Sequence, residues 1–131
     1  MSQLKEMGKQ RLGAIREEMR KRDLAALIIY SQRRGHVPYV SGYRPNYHTN
    51  WAFIVLPLVG EPALLIKFGF DLSRAVSMSW ISDIRTSRTE DLAGMFLECC
   101  EIINQMKLQR ARIGLEISGS ISTNESDTAP G

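Results

Sequence analysis

The groups able to do chemistry are few, and most of them fall in one stretch. "GYRPNYHTNWAFIVLP", residues 42–57, sets Arg44, Asn46, His48 and Asn50 among Tyr43, Tyr47 and Trp51. A guanidinium offers a planar fork to a carboxylate. Amide and imidazole groups beside it can donate or accept, and aromatic rings supply flat walls. That mixture suits recognition of a small polar or anionic group better than it suits bond breaking. The plain structural readings stand next to the functional ones: Gly42 as a turn glycine, Arg44 as a solvated side chain, Trp51 as core.

The groups needed for catalysis are not arranged for it. The only histidines are His36 and His48. A metal would need further carboxylate or thiolate ligands close to them. HExxH, Cys-x-x-Cys, GxGxxG and GxxxxGK do not occur, and "SGSIS" lacks the strand and helix that frame a nucleophile elbow. Asp23, Asp71, Asp83 and Asp91 are scattered along the chain rather than clustered. Cys99 and Cys100 are neighbours. On a helix they would point about 100° apart, which disfavours a bridge between them. Reduced thiols of this kind fit a cytoplasmic protein.

These residues need a scaffold, and the hydrophobic pattern supplies one. Leu12, Ile15 and Met19 recur at helical spacing among charges, which predicts a helix over residues 4–21, with Gly8 and Gly13 weakening its first half. "AALIIY" (25–30) is apolar throughout and predicts a central strand covered on both faces. Residues 31–50 form a connection, with one helical turn near 37–40. "WAFIVLP" and "ALLIKF" are strands joined as a hairpin through "LVGE" and Pro62. In the first of them Trp51, Phe53 and Val55 face one way and Ala52, Ile54 and Leu56 the other. "FDLSRAVSM" predicts a short helix and "WISDIRT" a strand nearer the surface. A helix over 90–106 carries the stripe Leu92, Met95, Phe96, Cys99, Ile102, Ile103 and Met106. Ser87 with Glu90, or Thr89 alone, is placed to cap it. "RIGLE" (112–116) closes as a strand. The fold class is therefore α/β, a mixed sheet flanked by helices. Residues 1–117 form the domain, and residues 118–131 are expected to be a flexible Ser/Thr-rich tail.

Composition fits this reading. With 131 residues and 44% apolar content the chain can build one core without metal or disulfide help. The net charge of +3 comes mostly from arginines near the N-terminus. Glu6, Glu17, Glu18 and Asp23 dilute them into a solvated helix face, so no nucleic-acid partner is expected. No apolar run approaches the roughly 20 residues of a membrane span.

Taken in order, "RLGAIREEMRKRDLAALIIYSQRRGHVPYVSGY", "WAFIVLP", "EPALLIKF", "SWISDIR" and "RIGLE" resemble the N-terminal domain of the creatinase/prolidase family. The resemblance spans residues 9–116, and its specificity lies in the order and spacing of the pieces. It implies a ribonuclease H-like strand layout. It also implies a parent hydrolase in which a second, "pita-bread" domain carries two divalent metals and cleaves Xaa-Pro peptides or creatine. On this resemblance the present chain ends before that domain begins and holds no catalytic residue, metal or cofactor of its own. Its expected partners are the catalytic domain of the same or a partner subunit, within a homodimer, and a peptide or small amide substrate. The loop after Ser41-Gly42 is then the one that reaches a partner's active site, which makes Arg44, Tyr47, His48 and Asn50 the substrate-binding candidates. Creatine-hydrolysing members place an aromatic residue and an arginine near the positions of His48 and Asn50. An asparagine has no charged fork, so an Xaa-Pro peptide or another small amide is the expected substrate, with Arg44 taking the carboxylate if it faces inward. The alternative is a stand-alone binding module that kept the fold without the enzyme.

Overall fold

The computed structural model describes residues 2–45 and 50–117. The 118–131 segment, expected to be a tail, lies outside the described residues. The elements run α1 (Ser2–Lys21), β1 (Ala26–Ser31), α2 (His36–Ser41), β2 (Ala52–Pro57), β3 (Ala63–Ile66), a 3-10 turn (Gly69–Asp71), α3 (Leu72–Met78), β4 (Asp83–Thr86), α4 (Leu92–Gln105) and β5 (Ile113–Ile117).

The strands form one mixed sheet in the order β4-β3-β2-β1-β5. β2 alone runs against the others: it pairs antiparallel with β1 (Ile28 opposite Val55) and with β3 (Ile54 opposite Leu64), whereas β1/β5 and β3/β4 are parallel. The start of β2 and the ends of β1, β3, β4 and β5 therefore lie at one end of the sheet. That end carries the connections holding the polar and aromatic residues.

Both faces of the sheet are covered, as the unbroken apolar runs require. On one face Ile29, Ile54, Leu56, Leu64 and Ile66 pack with Leu12 and Met19 of α1, Val37 and Val40 of α2, and Ala75 of α3. On the other, Ile28, Phe53, Val55 and Leu65 pack with Met95, Cys99, Ile102 and Ile103 of α4. The period-2 alternation of β2 falls as the sequence predicts, with Ala52, Ile54 and Leu56 on the α1 side and Phe53 and Val55 on the α4 side. α1 is also tied to the hairpin, where Arg16 Nε donates to the Pro57 carbonyl at 3.1 Å.

Three expectations need correction. α4 is capped by neither Ser87 nor Thr89 but by Asp91, whose Oδ2 accepts from the Gly94 N–H at 2.8 Å. Both hydroxyls are engaged in the preceding turn: Ser87 Oγ accepts from the Thr89 N–H at 3.1 Å, and Thr89 Oγ1 accepts from the Asp91 N–H at 3.1 Å. Leu92 drops out of the apolar stripe because it opens the helix, and it is exposed. β4 begins at Asp83 rather than Trp80. The Trp80 indole instead donates to the Val40 carbonyl at 2.6 Å, tying the β4 approach to α2.

That indole also explains a glycine that helix propensity disfavours. Gly8 lies in α1, and a Cβ there would fall inside the Trp80 ring. Gly13, in the same helix, has nothing within 4 Å of such a Cβ. Alanine is better than glycine in a helix interior by about 1 kcal/mol. Gly13→Ala should therefore raise stability by up to about that amount, while Gly8→Ala should lower it despite the better propensity. Urea unfolding of the two variants beside the parent chain checks the opposite signs.

Candidate recognition surface

The chain enters the expected recognition segment from α2. Ser41 Oγ donates to the Val37 carbonyl at 2.6 Å and accepts from the Tyr43 N–H at 3.0 Å. Gly42 caps the helix at φ 85°, a left-handed conformation that a side chain would strain. This bears out the turn-glycine reading. Tyr43 then turns inward, 2% exposed, with its ring among the α1-side core residues.

The Tyr43 hydroxyl donates to Asp71 Oδ2, and Arg74 Nη1 lies 2.9 Å from each Asp71 carboxylate oxygen. Asp71 is 2% exposed, whereas the Arg74 side chain is 39% exposed. Burial, with the Asp71 carboxylate beside it, pushes the Tyr43 hydroxyl far above its ordinary range, so it remains a donor at any working pH. Sequence reasoning missed this trio. Its signal was present as an aspartate and an arginine three residues apart in "FDLSRA", the spacing at which side chains meet on a helix.

Among the expected site residues, Arg44 is exposed and Asn50 is buried at the return of the chain to β2. Tyr47 and His48 lie outside the described residues. Trp51 is partly buried and packs against the α4-side core. Its Nε1 donates to Met95 Sδ at 3.1 Å, and Lys67 Nζ stands 3.8 Å from its ring centroid. Phe68 stacks on Phe70 at 4.9 Å, and Phe70 is 66% exposed. The sheet end thus carries an exposed guanidinium, an ammonium over an indole and an open phenyl face, the groups that bind a carboxylate-bearing, partly apolar ligand.

His36 opens α2 with Nδ1 3.5 Å from Glu116 Oε2, beside a groove of about 480 Å³ between α1 and the β1/β5 edge. Among the described residues no group of three or more His, Cys, Asp or Glu side chains could hold a metal ion. No helix of the described residues is long and apolar enough to cross a membrane.

A mixed sheet between α1 and α4, entered by a charged helix and closed by a parallel edge strand, defines an α/β domain. The family model for the creatinase/prolidase N-terminal domain matches residues 11–125, and the chain belongs to that family. Solved structures share its fold. An Xaa-Pro aminopeptidase from Streptococcus pyogenes is 20% identical with a TM-score of 0.53, covering 91% of this chain and 95% of that one. The prolidase from Pyrococcus horikoshii OT3 is 16% identical with a TM-score of 0.56, covering 82% of this chain and 32% of that one. A proline dipeptidase from Streptococcus agalactiae 2603V is 14% identical with a TM-score of 0.55, covering 84% and 93%. The chain therefore spans about a third of the Pyrococcus prolidase. No curated protein matches it in sequence.

The buried acids make stability fall in alkali. Burial raises the Tyr43 and Tyr30 hydroxyls, and it raises the Cys99 thiol, which Cys100 and Glu98 push further in the same direction. The folded state favours the neutral forms. Their contribution is therefore complete below the unfolded values, about 8.5 for a thiol and about 10 for a phenol, and is lost as pH rises above them. Urea midpoints measured from pH 7 upward should begin to fall above about pH 8.5. In Tyr43→Phe the fall should be shallower above about pH 10.

Proposed function

We propose that this chain is the substrate-recognition and assembly domain of a metal-dependent hydrolase acting on Xaa-Pro peptides or a related small amide, with no hydrolytic step of its own. The observation that carries the reading is the family match over residues 11–125. In this reading the paired metals belong to a separate catalytic domain, supplied by the same or a partner subunit of a homodimer. The part of the Pyrococcus prolidase beyond this chain's span is long enough to hold one. Support for the recognition role comes from the sheet end: Arg44 is exposed to solvent, where a carboxylate can reach it, while Asn50 is buried where the chain enters β2. In the proposed assembly this domain orients the substrate, and the metal-bearing domain supplies the activated water. The residues described here hold no site that fits those metals, so no step is assigned to them.

Two measurements on the chain test this. It should show no hydrolysis of Xaa-Pro dipeptides or of creatine with manganese, cobalt or zinc added; turnover abolished by a chelator would overturn the non-catalytic reading. An Xaa-Pro dipeptide titrated into the isotopically labelled chain at roughly millimolar concentration, the range of a weak partial site, should shift the Arg44 and Asn50 amide resonances. Arg44→Ala should abolish the shift while changing stability by no more than about 0.5 kcal/mol, as for other exposed sites. Shifts confined to other regions, or none, would remove the recognition role.

A further inference from the structure

The Tyr43–Asp71–Arg74 cluster does more than fill space. Asp71 occupies the N-cap position of α3, where an aspartate ordinarily accepts from the first turn of the helix. Its side chain makes no such bond. Both carboxylate oxygens are instead turned to Arg74, and one also accepts from the Tyr43 hydroxyl. A buried carboxylate carries a large desolvation cost, and packing alone would be served as well by an apolar residue. The cost is met here by a bond spanning 28 positions of sequence, between the connection that enters β2 and the connection that leaves β3. These two connections share the same end of the sheet, since Ala52 lies opposite Ile66. Tyr43 is held twice, through its N–H on Ser41 Oγ and through its hydroxyl on Asp71. The next residue in the chain is Arg44, which is exposed.

We infer that Tyr43 and Asp71, backed by Arg74, form a latch across the end of the sheet that fixes where Arg44 stands, which makes them positioning residues for the carboxylate-binding group. The inference rests on the recognition role proposed for Arg44, which it deepens. The ring of Tyr43 belongs to the core, so a phenylalanine would fill the same space. The hydroxyl is the part that packing does not require, and its bond to Asp71 is what the latch adds.

The test uses the full chain without ligand. In Tyr43→Phe the heteronuclear NOE of Arg44 should drop, and the amide at position 43, which donates to Ser41 Oγ, should exchange with solvent about five- to tenfold faster, the scale of one net hydrogen bond. Amides of β1 and β2 should keep their protection. Asp71→Asn, which keeps an acceptor oxygen for the hydroxyl, should retain more of the Arg44 NOE than Asp71→Ala. An Arg44 NOE unchanged in Tyr43→Phe would overturn the latch. Equal loss of protection at position 43 and throughout the sheet would overturn it too, because the trio would then serve only global stability. A dipeptide titration that leaves Arg44 unmoved in the parent chain would reject the recognition role and leave these exchange results as they stand, so the two failures are distinguishable.

Discussion

The structure depends on a strand pair that has no solvent face. Ile28 and Ile29 in β1, and Ile54 and Val55 in β2, are buried on opposite sides of the sheet. Each buried side chain of this size contributes about 1.5–3 kcal/mol when removed from water, but only if something covers it. α1 with α2 and α3 must lie on one side, and α4 on the other. Once both faces are closed, polar side chains can reach solvent only along the outer faces of the helices, at the edge strands or at the ends of the sheet. Arg44 is exposed at such an end, with the half-buried Lys67 and the exposed Phe70 on the connection beside it.

β2 sets which end that is. As the single antiparallel strand it brings its own start beside the ends of its neighbours. The connections after β1 and β3 are thereby gathered at one place. Tyr43 and Trp51 of the first connection then meet Asp71 and Lys67 of the second, although the two connections are far apart in sequence. Tyr43, Asp71 and Arg74 join them, and the Lys67 ammonium over Trp51 makes a second link across the same gap.

Much of this was legible in the sequence because it rests on short-range patterns. The apolar runs marked β1 and β2 as central. Alternation assigned the faces of β2, and helical spacing found α1 and α4. What escaped was long-range or competitive. The cap of α4 passed to Asp91 because Ser87 and Thr89 had closer partners in their own turn. The sequence pattern assigns Trp80 to a strand because nothing local shows that its indole fits against a glycine in α1 and a carbonyl in α2. Glu98 sits in the middle of α4 and is buried. Burial alone would raise its carboxyl, but bonds from Ser87 and from the Arg88 backbone and side chain outweigh that and hold it below the ordinary range. In the candidate site, the sequence showed the residue types around Arg44. The trio that holds its neighbour became visible only when residues 28 apart were brought together.

Native-state hydrogen exchange at increasing urea tests the central claim most directly. If the doubly covered pair governs the fold, the amides of Ile28, Ile29, Ile54 and Val55 should open only with the whole domain. They should share one free energy and one urea slope, both equal to those of global unfolding. If these amides instead exchange with a lower free energy and a smaller slope than those of α4, the sheet centre opens while its cover persists, and the account is contradicted.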